Sequence, residues 1–124
     1  MAASAVLLGI TGVGLSFFPQ ELLNYFNLQI TQINSLFLQI MGALYMGFAM
    51  LNWTSKASLI GGIYNRPVAI GNLMHFTVVA LVLIKLVFNI QQFEVIIISL
   101  TVVYMVLACA FGYVFMTSPV KESD

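Results

Sequence analysis

The chain has 124 residues, of which 61% are hydrophobic and only 6% charged, where an ordinary soluble domain carries roughly 25% charged residues. A soluble fold of this size has too little interior to hide that much apolar surface, so lipid is the expected solvent for most of the protein. Four Lys and Arg balance four Asp and Glu, which leaves no basic patch for nucleic acid and no charge run for an acidic partner.

A single integral membrane domain over residues 1–124 is the expected organisation. Cys109 is the only cysteine, which rules out an internal disulfide and a multi-cysteine metal site within one chain. The first residues lack the positive region of a secretory signal peptide, so the first apolar run is read as a mature span.

In chain order, a first span is expected over about residues 2–18, ended by Pro19, whose missing N–H suits the first turn of a new helix. Residues 19–27 then read as a short amphipathic helix in the interface plane. Leu22, Leu23, Phe26 and Ile30 fall near one face, with Gln20, Asn24 and Asn27 away from it. A second span is expected at about 35–53, a third at 67–90 and a fourth at 95–117, each near the roughly 20 residues that cross a hydrocarbon core of about 30 Å. The fold class is therefore all-α, a four-helix transmembrane bundle running up-down-up-down. Asn89 to Glu94 is a tight outer turn that makes the third and fourth spans antiparallel neighbours, and residues 118–124 form a short tail.

The basic residues orient the spans. Lys56, Arg66 and Lys121 share the side of both termini and the central hinge, while the other side has Glu21, Glu94 and only Lys85. Both termini are then cytoplasmic, with Trp53 and Tyr64 in the cytoplasmic aromatic belt. Lys85 lies close enough to the outer interface for its stem to snorkel.

Helices in lipid associate through close approach of small residues. Ala5, Gly9, Gly12 and Ser16 supply such a face on the first span, Ala43 and Gly47 with Gly42 beside them on the second, and Ala108 and Gly112 on the fourth. These faces serve packing within one chain or between chains.

His75, the only histidine, lies eight residues after Pro67, about 12 Å into the membrane at 1.5 Å per residue. The same depth on the other spans reaches Tyr45 and Cys109. Asn72 shares the face of His75, and Tyr113 lies nearer the cytoplasmic end. A polar layer of Tyr45, Asn72 and His75, extended by Cys109 and Tyr113, would be a ligand site or interhelical glue. A haem axial role needs a second ligand that the spacing does not supply. Arg66 precedes Pro67 where the helix dipole disfavours a cation. It reads as an interfacial anchor or as an anion site for a lipid phosphate or carboxylate. Gln39 can bond to Ser99 or Thr101 on the fourth span.

All four acids lie in loops or the tail, and no metal spacing, nucleophile elbow or phosphate-cradling loop is present, so no enzyme and no cofactor is expected. Phe17-Phe-Pro19, the run Leu38-Gln-Ile-Met-Gly-Ala-Leu-Tyr-Met-Gly-Phe-Ala-Met-Leu-Asn-Trp53 and Tyr64-Asn-Arg-Pro67 follow one another in an order that resembles the small four-helix bacterial membrane proteins of the DoxX-like kind. That resemblance implies a bacterial inner-membrane location and, for some members, links to quinone or thiol redox systems. The expected function is association, as a homo-oligomer or as an accessory subunit of a larger membrane complex. The alternative is a carrier or binding module for a quinone or lipid, using Tyr45, Asn72 and His75 inside and Arg66 at the mouth.

Overall fold

The computed structural model describes residues 1–57, 66–89 and 92–117, and all five elements in them are helices. They are α1 (Ala2–Phe17), α2 (Pro19–Tyr25), α3 (Gln32–Ser55), α4 (Arg66–Val87) and α5 (Glu94–Thr117). The fold is all-α. α3, α4 and α5 are each long and apolar enough to cross a membrane, and a fourth span results if the bent α1–α2 pair counts as one. The chain divides into two compact units, Met1–Ala57 and Ser58–Asp124. Most of the central hinge, with Gly61, Gly62 and Tyr64, lies outside the described residues, as do Ile90, Gln91 and the tail from Ser118.

In the first unit, Pro19 ends α1 as its chemistry requires. Proline excludes the α conformation from the residue before it, and Phe18 sits at φ −125°, ψ 44°. Its N–H still closes the last turn on Gly14 O at 2.9 Å, but the chain then turns through 94° into α2. Proline opens α2 in the first turn, where it lacks nothing that the helix needs.

α2 is stopped by a left-handed residue, Asn27 at φ 54°. Around it the N–H of Asn27 donates to Asn24 O at 3.1 Å and that of Leu28 to Leu23 O at 2.8 Å, the two bonds of a Schellman motif. The reversal sends Leu28 and Ile30 outward, 56% and 55% exposed. The expectation that Ile30 shares the inner face of α2 is corrected by this turn: the helix ends at Tyr25, so the 3.6-residue spacing stops before Ile30 is reached. Leu23 alone of that set is fully buried, with Leu22 and Phe26 half-buried. Thr31 then caps α3, its Oγ1 accepting from Asn34 N at 3.1 Å.

α1 and α3 pack antiparallel along their lengths, with backbones nearly touching at Gly12 and Gly42. A Cβ on Gly12 would lie 2.9 Å from Gly42 O and 2.9 Å from Met46 N. One on Gly42 would lie 2.7 Å from Gly12 O and 2.8 Å from Ser16 N, and would collide with Ser16 Oγ. Such an approach is open only to glycine, and it maximises dispersion contact where lipid supplies no hydrophobic drive. At the other end of the pair Asn52 donates from Nδ2 to Ser4 Oγ at 3.1 Å, and Ser4 Oγ donates to Met1 O at 2.7 Å. Both side chains are fully buried.

Ala43 and Gly47 do not join this contact. Ala43 is exposed, and a Cβ on Gly47 would meet nothing within 4 Å. Gly42 lies about 100° around the helix from Ala43, and it is the Gly42 face, continued by Ala49 and Asn52, that α1 covers.

In the second unit α4 and α5 form an antiparallel pair, as expected. Ala69, Asn72, Phe76 and Ala80 are the buried residues of α4, and Thr101, Tyr104 and Phe111 those of α5. Small and large residues alternate on the α4 face. Gly112 faces Leu73, whose Cδ1 would lie 3.7 Å from an added Cβ, an ordinary contact that needs no glycine.

Candidate functional site

The spacing of the buried residues on α4 brings Asn72 and His75 onto successive turns of one helix. Asn72 is fully buried, and its Nδ2 donates to Val68 O one turn back at 2.8 Å. His75 is half-buried. Its ring lies 5.2 Å from that of Phe76 and 6.0 Å from that of Tyr104.

Phe76 is the centre of this group. It is fully buried, meets Tyr104 edge-on at 5.4 Å and stacks on Phe111 at 5.6 Å with 13° between the planes. These are the separations that the ring quadrupoles favour. His75 is thus the flank of an aromatic cluster, and the sequence reading missed Phe76, Tyr104 and Phe111. A signal existed: Thr101, Tyr104, Ala108 and Phe111 recur at helical spacing, opposite the α4 face once the short turn at Asn89–Glu94 fixes the antiparallel register.

The other expected site residues lie within their own units. Arg66 is the first residue of α4 and exposed, and Tyr45 is half-buried on α3 in the first unit. Cys109 is exposed, and Tyr113 is 70% exposed. Neither of the last two extends a polar layer, because the buried face of α5 is the one through Tyr104 and Phe111. The hydroxyls of Ser99 and Thr101 donate to Val95 O and Ile97 O within their own helix, each at 2.7 Å. Lys85 is exposed near the end of α4. Lys56 covers the Trp53 ring with Nζ 3.0 Å from its centroid, a cation–π contact. Among the described residues no three His, Cys, Asp or Glu side chains converge in a way that could hold a metal ion.

The residues left over by helix packing form a second feature, on the side of α3 turned away from α1. Ala43 and Gly47 form the floor of a shallow apolar depression of about 450 Å³, walled by Ile40, Leu44, Phe48 and Leu51. Small residues one turn apart between branched and aromatic walls are the form that lets a second helix approach closely in a membrane.

No family model, no curated protein and no solved structure matches this chain.

Proposed function

We propose that the protein is a small integral membrane protein that crosses the bilayer four times, with α1, α3, α4 and α5 running up-down-up-down, α2 in the interface and both termini in the cytoplasm. It acts without catalysis, through association with further membrane-spanning helices, either of its own kind or of a larger complex that it serves as an accessory subunit. A bacterial inner-membrane location and kinship with the DoxX-like proteins belong to the same reading.

The observation that carries it is the depression floored by Ala43 and Gly47. α3 already has one small-residue face, used by α1 at Gly42, and the second is left uncovered by the other helices of the first unit. Polar character is low along it, so the partner it fits is another apolar helix. The rival reading, a carrier or binding module for a quinone, lipid or anion, would use Tyr45, Arg66, Asn72 and His75. It draws less support: the Asn72 amide donates to its own helix, and the His75 ring is packed into an aromatic cluster.

Filling the depression tests the reading. Gly47→Leu and Ala43→Leu, alone and together, should abolish co-purification or self-association in gentle detergent while leaving the α1–α3 contact intact, since nothing lies within 4 Å of a Gly47 Cβ. Gly14→Leu on α1, at another open position, is the control that should change neither. Association undiminished in the doubly filled variant would remove the basis of the proposal.

A further inference from the structure

The first unit is uneven in height. α1 has 16 residues and α3 has 24, about 24 Å and 36 Å at 1.5 Å per residue. Ser4 pairs with Asn52, Gly9 with Ala49, Gly12 with Met46 and Ser16 with Gly42, so the two helices are level at the Asn52 end. α1 therefore stops near the level of Met41, while α3 continues to Gln32. There the chain turns through 94° and α2 crosses α3 with Leu23 beside Phe37 and Leu38. That crossing lies about 8 Å short of the start of α3.

We infer that α2 is a lipid-contact element that draws the headgroup layer of its leaflet inward, so that the first unit matches a hydrocarbon core of about 24 Å, thinner than the usual ~30 Å. The inference rests on the membrane-spanning reading above and adds the lipid environment that one side of the protein selects.

Three observations carry it. The first is direction: a helix perpendicular to α1, which packs along a spanning helix, lies in the membrane plane. The second is sidedness. Gln20, Glu21 and Asn24 are exposed while Leu23 is buried, so one face of α2 needs water or headgroups and the other needs protein or acyl chains. With that polar face held about 8 Å below the start of α3, the headgroups must descend to reach it. Exposed Phe18 and Tyr25 at the two ends of α2 are the residue types that favour this boundary.

The third observation is the connector to α3, which satisfies its own polar groups. Besides the two Schellman bonds, Asn34 Nδ2 donates to Gln29 O at 2.8 Å, and Asn34 N to Thr31 Oγ1 at 3.1 Å. Helix ends in water close the same bonds, so here they fix the geometry of the α2–α3 connector and with it the offset of α2 from the start of α3.

The test places a tryptophan at Tyr25 in the full chain, with Trp53→Phe to remove the native indole, and reconstitutes it in phosphatidylcholine vesicles carrying bromine at different acyl positions. The account expects quenching by bromines near the headgroup end of the chain to exceed that by terminal bromines about threefold, the pattern of a helix at the acyl boundary. It also expects the unfolded fraction in short-chain vesicles to be about tenfold lower than in long-chain vesicles, the size that several ångströms of mismatch would produce. Strongest quenching by terminal bromines would make α2 re-entrant, and quenching by aqueous iodide alone would place it off the membrane. Either result, or equal stability at both chain lengths, overturns the inference. Should Tyr25→Trp not fold, Phe18→Trp reports from the other end of α2. Association measured in the same vesicles keeps the two proposals separable: loss of depth with association intact refutes only this one, and loss of association with the depth pattern intact refutes only the other.

Discussion

Gly42 carries the tightest constraint in the chain. Its added methyl would meet backbone atoms of Gly12 and Ser16 inside 3 Å, and backbone on a packed helix cannot step aside as a flexible side chain can. Gly42→Ala should therefore cost about 1–3 kcal/mol of stability, the usual range for overpacking. Gly14→Ala, with nothing near its Cβ, should be neutral or gain about 0.5–1 kcal/mol through helix propensity. Denaturation by a graded anionic detergent in mixed micelles measures both, and equal effects at the two positions would contradict the packing described. Asn52→Leu leaves Ser4 without its interhelical donor and should cost about 1 kcal/mol, since such bonds in membranes are modest. Ser4→Ala in the same background should then add little, a coupling that a double-mutant cycle reads directly.

At the scale of the element, the turn after α2 depends on one left-handed residue. Asn27→Gly should preserve the Schellman geometry, while Asn27→Val should cost about 1–2 kcal/mol because a β-branched residue tolerates positive φ poorly; the same detergent titration checks the order Gly, Asn, Val. The α4–α5 pair is held by rings. Phe76→Ala removes the side chain against which Tyr104, His75 and Phe111 all pack. In water such a loss costs about 3–5 kcal/mol, but lipid tails are as apolar as the core, so the dispersion share alone, about 1–3 kcal/mol, is expected here. Near-ultraviolet circular dichroism should lose its tyrosine signal with Phe76→Ala and keep it with Met74→Ala, whose side chain is exposed.

Helix boundaries were legible because they are written in residues with hard steric or polar consequences. Pro19 marks the α1–α2 break and Glu94 opens α5 after the expected turn. The longest discrepancies are three residues: α4 ends at Val87 instead of about residue 90, and α3 starts at Gln32 instead of Ser35 because Thr31 and Asn34 close the cap between them. Faces were harder. On a soluble helix the buried side is apolar and the exposed side polar, but in lipid both are apolar, and hydropathy cannot tell Gly42 from Ala43 and Gly47. Only the register with α1 decides, and it follows from the Ser4–Asn52 pair, which the sequence reading did not connect. His75 drew attention as the sole histidine, while the residue that centres its cluster is Phe76, indistinguishable by composition from the other nine phenylalanines.

For the whole molecule, the exposed apolar surface of α3 is the informative quantity. Its side chains from Ile33 to Trp53 are largely exposed, and among them Ala43 and Gly47 floor a depression with small residues one turn apart. Elsewhere branched side chains keep neighbours at a distance; here a partner helix can come close. Of the buried polar groups, Ser4 and Asn52 hold α1 to α3, while the Asn72 amide donates within its own helix. The proposed activity of its surface is association. Native mass spectrometry of the protein, released gently from its own membrane without overexpression, tests that claim most directly. The account predicts a homo-oligomer or a larger complex that the Ala43→Leu, Gly47→Leu double variant no longer joins; a bare monomer carrying a bound small molecule would contradict it.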